Sequence, residues 1–196
     1  MRAPRLPGSL AASVLEFARA QAAQRQKTSL VLAQISPSPF PLISAVLSDP
    51  AVAAVVKPGS VVVDMGMGDG RWLLALLDHY REIPRVCAIG IELDEERIQV
   101  TRQSMEVQGY SGAGGGLEIV RADFMSVGVG LSNLVLAYLS REGNKVLAAK
   151  LERELSPGAV VVAVGFMFVW LDGKGRLTRT HKCPMTSLPA YIYVMD

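Results

Sequence analysis

The sequence predicts an α/β protein built on a seven-stranded, mostly parallel sheet with helices on both faces. From residue 60 onward, short β-branched segments alternate with segments of helical periodicity, which is typical of βαβ units and parallel sheets. The first strand of this series ends in a glycine-rich turn that leads directly into a helix. A chain of 196 residues, half of them apolar, is large enough to bury the core of one such domain.

Turn residues set the boundaries of the predicted elements. The Pro-rich connector 36–41 excludes regular helix, whereas Lys57-Pro-Gly-Ser60 and Ser156-Pro-Gly158 are turns that each precede a strand. The glycine-rich stretch 109–116 leads into a strand rather than a helix, so we interpret it as a link. The last two strands have no helix between them, and one of them must therefore run antiparallel. The predicted helices cover 9–26, 42–56 with an interruption near Asp49-Pro50, 69–80, 95–108 and 143–154; the predicted strands cover 61–65, 86–92, 117–121, 131–138, 159–168, 176–182 and 190–195.

The sequence divides into a basic helical extension, residues 1–34, and an α/β domain, residues 35–196. The extension contains several arginines but a single acidic residue, Glu16. Such composition is typical of mitochondrial presequences, and an ordinary helix packed on the domain is the alternative. No compact apolar segment precedes a small-residue cleavage site. We therefore expect a cytoplasmic or mitochondrial protein that is not secreted.

Composition excludes several classes of function. The net charge of +2 is small and no basic stripe with interleaved aromatic residues is present, so we expect no nucleic-acid partner. Cys87 and Cys183 lack metal-ligand spacing and resemble small core residues, and we expect no metal. The longest apolar run, Ala159–Leu171, is too short to span a bilayer and is typical of a buried strand.

The glycine-rich turn carries the most specific signal. It reads Asp64-Met-Gly66-Met-Gly68-Asp-Gly70-Arg71. Glycine tolerates positive φ and, lacking Cβ, lets a ligand lie against the backbone. The spacing is G-x-G-x-G, whereas dinucleotide-binding turns have G-x-G-x-x-G and would require a glycine at Arg71. The pattern therefore favours S-adenosylmethionine (AdoMet) over NAD as the ligand.

Further candidate residues follow the neighbouring strands. Glu92 ends the second strand, where a carboxylate can accept hydrogen bonds from ribose hydroxyls. Asp123 and Phe124 follow the third strand and could contact an adenine amino group and its ring. Tyr138 ends the fourth strand, at the expected mouth for a second substrate. Because carboxyl ends of parallel strands share one edge of the sheet, we expect these residues to lie near the glycine turn.

Three of these side chains leave alternatives open. Asp69 opens the helix after the glycine turn, and an N-cap role is favoured over ligand binding. Arg71 either pairs with a ligand carboxylate or forms a surface salt bridge. Tyr138 is either a buried aromatic residue or part of an acceptor channel.

Together these motifs resemble those of class I AdoMet-dependent methyltransferases. The carriers are the turn from Asp64 to Arg71, Gly90-Ile-Glu92-Leu, and Asp123. Further segments are similar to the small lysine methyltransferases that modify the mitochondrial adenine nucleotide translocase and the ATP synthase c-subunit, and to their bacterial relatives. Those segments are Pro37-Ser38-Pro39, Tyr138-Leu139, residues 151–158 and residues 166–170, and the resemblance covers about residues 35–196.

The resemblance implies a Rossmann-like class I methyltransferase fold and a role for each matching residue. Asp64, Gly66, Gly68 and Gly70 would hold the methionine moiety of AdoMet, Glu92 the ribose and Asp123 the adenine, and Ser38 would lie over the cofactor. We predict Tyr138 as the residue closest to the chemistry. One position departs from the family pattern, because Met67 stands where a small serine is usual.

The function implied is methyl transfer from AdoMet to a lysine side chain of a protein substrate. This displacement requires neither a nucleophile of the enzyme nor a metal, only alignment and exclusion of water. A small-molecule or nucleic-acid methyltransferase is one alternative, although the Asn/Asp-Pro-Pro-Tyr signature of enzymes that methylate nucleic-acid amino groups is missing after the fourth strand. A non-catalytic AdoMet- or nucleotide-binding module is the other.

Overall fold

The computed structural model describes residues 37–110 and 116–196. Its strands are β1 (Val61–Met65), β2 (Cys87–Glu92), β3 (Leu117–Arg121), β4 (Leu134–Ala137), β5 (Val160–Val164), β6 (Gly175–Lys182) and β7 (Pro189–Met195). Its helices are α1 (Phe40–Leu47), α2 (Pro50–Val55), α3 (Arg71–His79), α4 (Glu95–Gln108) and α5 (Arg141–Glu154), with a short 3-10 helix at Phe124–Ser126. The predicted helix 9–26 and the basic extension lie outside the described residues.

The strands form one seven-stranded sheet in the order β3-β2-β1-β4-β5-β7-β6. The first five strands are parallel, and β7 is antiparallel to both β5 and β6. This arrangement confirms the predicted α/β fold and its antiparallel final strands. The strand order reverses between β1 and β4. Ligands of open α/β sheets bind at the carboxyl ends of the strands at such a switch point, so the topology directs attention to the end of β1.

Hydrophobic cores lie on both faces of the sheet, as alternation along β1 requires. Val62 faces the core under α1, α3 and α4, whereas Val61 and Val63 face the core under α5. β1, β4 and β5 are buried along their whole length, which is typical of parallel strands covered by helices. The end of β1 is therefore held rigidly at the centre of the molecule.

Two predicted strands are longer than the observed ones. The fourth was predicted over 131–138, but Leu131–Asn133 forms a turn whose Asn133 side chain accepts a hydrogen bond from the Val61 N–H at 2.8 Å. The fifth was predicted over 159–168 and ends at Val164. Beyond it the chain leaves the sheet, and Phe168 stacks on Trp170 with ring centroids 4.9 Å apart. Apolar composition alone does not separate a strand from a segment that lies across a sheet face.

The predicted interruption near Asp49-Pro50 is confirmed, since α1 and α2 are separate helices. Asp49 is the N-cap of α2 and accepts a hydrogen bond from the Ala51 N–H at 2.9 Å. Its other oxygen lies 2.9 Å from Arg179 Nε and 2.9 Å from His181 Nε2. Asp49 thus joins the helices before β1 to the edge strand β6. Among the described residues, none of the helices is both long and apolar enough to cross a membrane.

Candidate functional site

The glycine turn after β1 is clamped to the neighbouring strand. The backbone N–H groups of Gly66 and Met67 both donate to the carbonyl oxygen of Ile91, at 2.9 and 3.0 Å. Gly66, Gly68 and Gly70 have φ values of 86°, 58° and 73°. All three lie in the left-handed region that favours glycine, which accounts for the spacing seen in the sequence.

Two of these glycines are required for different reasons. A Cβ on Gly70 would lie 2.4 Å from Cγ2 of Thr101, because α4 packs directly against the turn. A Cβ on Gly68 would meet no atom within 4 Å. Gly70 therefore allows a helix to approach the turn, whereas Gly68 leaves its outer side free for a ligand.

Glu92 supports the turn from the end of β2. It is 8% exposed, and its Oε2 accepts a hydrogen bond from the Gly68 N–H at 3.0 Å. Its Oε1 accepts from the N–H groups of Leu93 at 2.8 Å and Asp94 at 3.0 Å. Backbone donors therefore fix the carboxylate beside the turn, as the sequence motif predicts.

Asp64 is a buried carboxyl group at the end of β1. It is 3% exposed, and its Oδ2 has no hydrogen-bond partner within the described residues. Burial, followed by the nearby charges of Glu92 and Asp69, raises the pKa of Asp64 to about 8. A buried acceptor without a partner is costly, so the site is suited to a ligand that brings a donor or a positive charge.

Asp69 and Arg71 form an ion pair that crosses the end of the turn. Nε of Arg71 lies 2.9 and 3.0 Å from the two oxygens of Asp69, and Nη2 donates to Oδ2. Hydrogen bonding from Arg71 lowers the pKa of Asp69 below its ordinary value. Of the two alternatives for Arg71, the structure shows the salt bridge.

The predicted N-cap role of Asp69 is wrong. The N-cap of α3 is Gly70, and the helix begins at Arg71 rather than at residue 69. Asp69 lies one position before the N-cap; its Oδ1 accepts from the Arg71 N–H at 3.3 Å, and its carboxylate otherwise pairs with the Arg71 side chain. An aspartate at this position correctly indicated that a helix begins nearby. Because Gly70 is in the left-handed conformation, the helix begins only at Arg71.

A cavity of about 220 Å³ opens on the glycine turn. It is lined by Pro37, Ser38, Asp64, Gly66, Met67, Gly68, Asp69, Arg71, Trp72, Arg97 and Tyr138. The structure thus brings five of the predicted site residues to one cavity: Ser38, Asp64, Gly66, Gly68 and Tyr138. Gly70 lies behind the turn against Thr101. In this cavity a buried carboxyl oxygen without a hydrogen-bond partner among the described residues lies near an open glycine backbone. Both features suit the binding of AdoMet.

Asp123, Phe124 and Glu92 all lie outside the lining of this cavity, and the first two follow β3, which pairs with the end of β2. The Ala122 N–H donates to the Glu92 carbonyl oxygen at 3.2 Å, which brings the end of β3 beside the end of β2. Asp123 caps the short 3-10 helix by accepting from the Met125 N–H at 2.9 Å, and Phe124 is 9% exposed. The segment that carries the predicted adenine-side residues therefore begins beside Glu92, while the Phe124 ring packs in the hydrophobic core.

Tyr138 lies directly after β4 and forms part of the cavity wall. Its ring packs closely on Gly165, where a Cβ would lie 3.0 Å from Cε2 of Tyr138. The residue is half-buried and lines the cavity. The ring is therefore packed along one edge and contributes to the cavity wall, whereas its predicted place in an acceptor channel stays a prediction.

Sequence reasoning missed several residues that line the cavity. Arg97 lies on the first turn of α4, and Trp72 on the first turn of α3, so each directly follows a predicted strand-end motif. Proximity to those motifs was a usable signal. No group of three or more potential metal-ligating side chains occurs within residues 37–110 and 116–196.

Comparison with known proteins identifies relatives of the chain. A model of the ANTKMT methyltransferase domain matches residues 64–171. A protein-lysine N-methyltransferase of Saccharolobus islandicus (strain REY15A) is 32% identical over 113 residues, which span 58% of this chain and 66% of that protein. The match therefore covers just under two thirds of the length of this relative.

Solved structures support the fold. An RNA methyltransferase from Salinibacter ruber, in complex with S-adenosylhomocysteine, superposes with a TM-score of 0.66 at 24% identity, covering 82% of this chain and 94% of that chain. The putative methyltransferase yhhF from Escherichia coli gives 0.63 at 18% identity, covering 82% and 88%. At these identities the likeness concerns the fold alone.

The family match begins at Asp64 and ends at Leu171, so it includes the glycine turn, Glu92, Asp123 and Tyr138. It extends over more than half of the chain. It confirms the resemblance to class I AdoMet-dependent methyltransferases that the motifs predict. The chain belongs to the family of the ANTKMT methyltransferase domain.

Proposed function

We propose that this domain transfers a methyl group from AdoMet to a lysine side chain of a protein. The observation that carries the proposal is the cavity that the glycine turn, Tyr138 and the buried Asp64 line together, with Oδ2 of Asp64 lacking a partner among the described residues. The name of the S. islandicus relative supports lysine as the acceptor. AdoMet, when bound, supplies an activated methyl group.

The described side chains suggest how the cofactor would be held. Asp64, Gly66 and Gly68 would receive the methionine moiety, because the turn offers an open backbone and a carboxyl group able to accept from an ammonium group. Gly70, which the sequence also predicted to contact this moiety, would support it indirectly, since it lets α4 pack behind the turn. Ser38 would lie over it, since Ser38 forms part of the cavity wall.

The ribose and adenine would lie along the ends of β2 and β3. Glu92 is fixed by three backbone N–H donors, so its orientation does not depend on the ligand. Its carboxylate would accept hydrogen bonds from ribose hydroxyls. Asp123 and Phe124 would contact the adenine, as their position next to Glu92 allows.

Tyr138 is the candidate for the acceptor side of the site. Its ring forms part of the cavity wall, and with an acceptor bound it would help to exclude water and to align the acceptor in line with the methyl group. A lysine must lose a proton before it accepts a methyl group, and its ordinary pKa is about 10.4. Desolvation beside Tyr138 would lower that pKa. The proposed reaction therefore depends more on the shape of the cavity than on acid–base side chains.

The predicted compartment, cytoplasmic or mitochondrial, stays a prediction, because it depends on the composition of the basic extension.

Methylation of a small molecule or of nucleic acid is the competing function.

Incubation of the protein with tritiated AdoMet and a cell protein extract tests the proposal. We expect label in protein that yields methyl-lysine after acid hydrolysis. Tyr138→Ala should lower the rate by roughly tenfold or more through lost alignment, whereas the matched control Tyr110→Ala should not, because Tyr110 does not line the cavity. Label confined to RNA or to small metabolites would reject lysine as the acceptor.

A further inference from the structure

The Pro-Ser-Pro segment, residues 37–39, is attached to the cofactor cavity by two neighbouring residues of α3. Nη1 of Arg71 donates to the carbonyl oxygen of Ser38 at 3.1 Å. Nε1 of Trp72 donates to the hydroxyl oxygen of Ser38 at 2.9 Å. Ser38 is 2% exposed and lies 33 residues before Arg71 in the chain. A pair of side chains that follows the glycine turn therefore fixes a distant segment over it.

The composition of the segment makes these contacts important. Pro37 and Pro39 have no N–H group, so neither of them can tie the segment down by donating from its backbone. The Pro39 carbonyl is already used, since it accepts from Leu42 and Ile43 at the start of α1. The contacts with Arg71 and Trp72 thus hold the middle of the segment, and Pro37 and Ser38 line the cavity on that basis.

Arg71 is itself oriented by Asp69 and by Phe40. The Asp69 carboxylate accepts from Nε at 2.9 Å and from Nη2, and the guanidinium carbon lies 5.6 Å from the centre of the Phe40 ring. These contacts occupy the planar guanidinium on several sides, in a fork geometry that lysine lacks. Asp69 also neutralises a positive charge that would otherwise face a cationic ligand in the cavity.

We propose that Arg71 is a positioning residue for the cofactor: oriented by Asp69, it holds the Ser38 carbonyl so that the Pro-Ser-Pro segment closes one wall of the cavity. The expected effect on cofactor binding rests on the proposed use of AdoMet. The contact between Arg71 and Ser38 itself belongs to the protein without ligand. Arg71 acts through Ser38 rather than by contact with the methyl group. Loss of the guanidinium therefore weakens cofactor binding more than it slows the chemical step.

The chain carries its own reporter for this contact. It contains two tryptophans, and Trp72 is 5% exposed beneath Ser38. Trp170 packs on Phe168 and Tyr193, away from the cavity. Trp170→Phe therefore leaves a single tryptophan, which lies at the Pro-Ser-Pro segment, and this variant with selective tryptophan excitation is the background for the test.

In that background, Arg71→Met is compared with Arg71→Lys and with the control Arg102→Met. Arg102 is also on a helix and pairs with Glu95 at 3.5 Å, but it is half-exposed on α4. We expect Arg71→Met to make Trp72 more accessible to acrylamide without ligand. We also expect its Kd for S-adenosylhomocysteine by calorimetry, and its KM for AdoMet, to rise about tenfold, the loss of one hydrogen bond to a charged group. Arg71→Lys should show smaller changes in accessibility and in affinity than Arg71→Met, and Arg102→Met should show neither change.

Separate readouts distinguish the possible failures. A kcat that changes within about twofold while KM rises supports positioning. If Arg71→Met leaves the quenching and the affinity unchanged, or lowers the melting temperature without changing either, the role of Arg71 is refuted. If Arg71→Met does not fold, Asp69→Asn is measured, and unchanged quenching in Asp69→Asn gives the same refutation. Failure of the unmodified protein to bind S-adenosylhomocysteine would instead contradict the proposed function, while the quenching comparison would still decide the contact.

Discussion

At the scale of single residues, the ionisation state of Asp64 depends strongly on its surroundings. A carboxyl group has an ordinary pKa of 3.8, and burial next to Glu92 and Asp69 raises that of Asp64 to about 8. The neutral acid is therefore favoured when no ligand is present at neutral pH. A positively charged ligand group would favour the carboxylate, so binding and ionisation are linked.

This linkage predicts opposite effects of pH on stability and on cofactor affinity. Because the folded-state pKa exceeds the unfolded one, the folded protein retains a proton that the unfolded chain loses. Asp64 therefore makes the free energy of unfolding decrease as pH rises from about 4 to about 8, after which its contribution levels off. AdoMet affinity should increase over the upper part of that range.

Asp64→Asn separates this effect from other titrations, since it removes the charge and keeps the shape. The α-amino group of the cofactor titrates near pH 8 as well, so the difference between the two proteins is the informative quantity. Calorimetric titrations at pH 6, 7 and 8 should show affinity rising more steeply for the unmodified protein than for Asp64→Asn. Parallel pH profiles would contradict the assignment.

At the scale of elements, the end of β1 and the end of β2 fit together through Met67 and Gly90. A Cβ on Gly90 would lie 2.1 Å from Sδ of Met67, and Met67 is 4% exposed. The methionine that departs from the family pattern thus fills the space above a glycine of the neighbouring strand. Its size and the absence of a side chain at Gly90 are complementary.

We therefore expect Gly90→Ala to destabilise the domain by about 1–3 kcal/mol, because the added methyl group displaces the Met67 side chain. Adding Met67→Ala to Gly90→Ala should recover part of the lost stability, with a coupling free energy between the two positions of about 1–2 kcal/mol. Urea denaturation of the two single variants and the double variant measures the coupling. Additive changes would show that the two side chains do not compete for the same space.

The local parts of the site were predictable from the sequence, and the reason is physical. The φ values of the glycine turn depend on residue type. The position of the Glu92 carboxylate beside that turn follows from the alternation of strands and helices, which makes neighbouring strands parallel. The contacts of Ser38 with Arg71 and Trp72 were not predictable, because they join residues more than thirty positions apart. Their geometry depends on how α1 packs against α3.

At the scale of the whole molecule, the parallel core was predictable but its edge was only partly so. The lack of a helix between the last two strands predicted an antiparallel strand. It did not predict that β7 inserts between β5 and β6, or that Phe168 and Trp170 cross the sheet face to pack on Tyr193. Side-chain packing over a sheet face has no sequence period of its own.

The topology concentrates the site at one edge of the sheet. The ends of β1, β2, β3 and β4 supply Asp64, Glu92, Asp123 and Tyr138 in turn, and the edge strand β6 anchors the helices before β1 through Asp49. This arrangement predicts a single cofactor site that all four strand ends share.

Thermal stabilisation by ligands tests this central claim most directly. The melting temperature is measured with AdoMet, S-adenosylhomocysteine or NAD, for the unmodified protein and for Glu92→Gln. We predict that AdoMet and S-adenosylhomocysteine raise the melting temperature of the unmodified protein and raise that of Glu92→Gln less, whereas NAD has no effect. Stabilisation by NAD alone would contradict the assignment of this cavity to AdoMet.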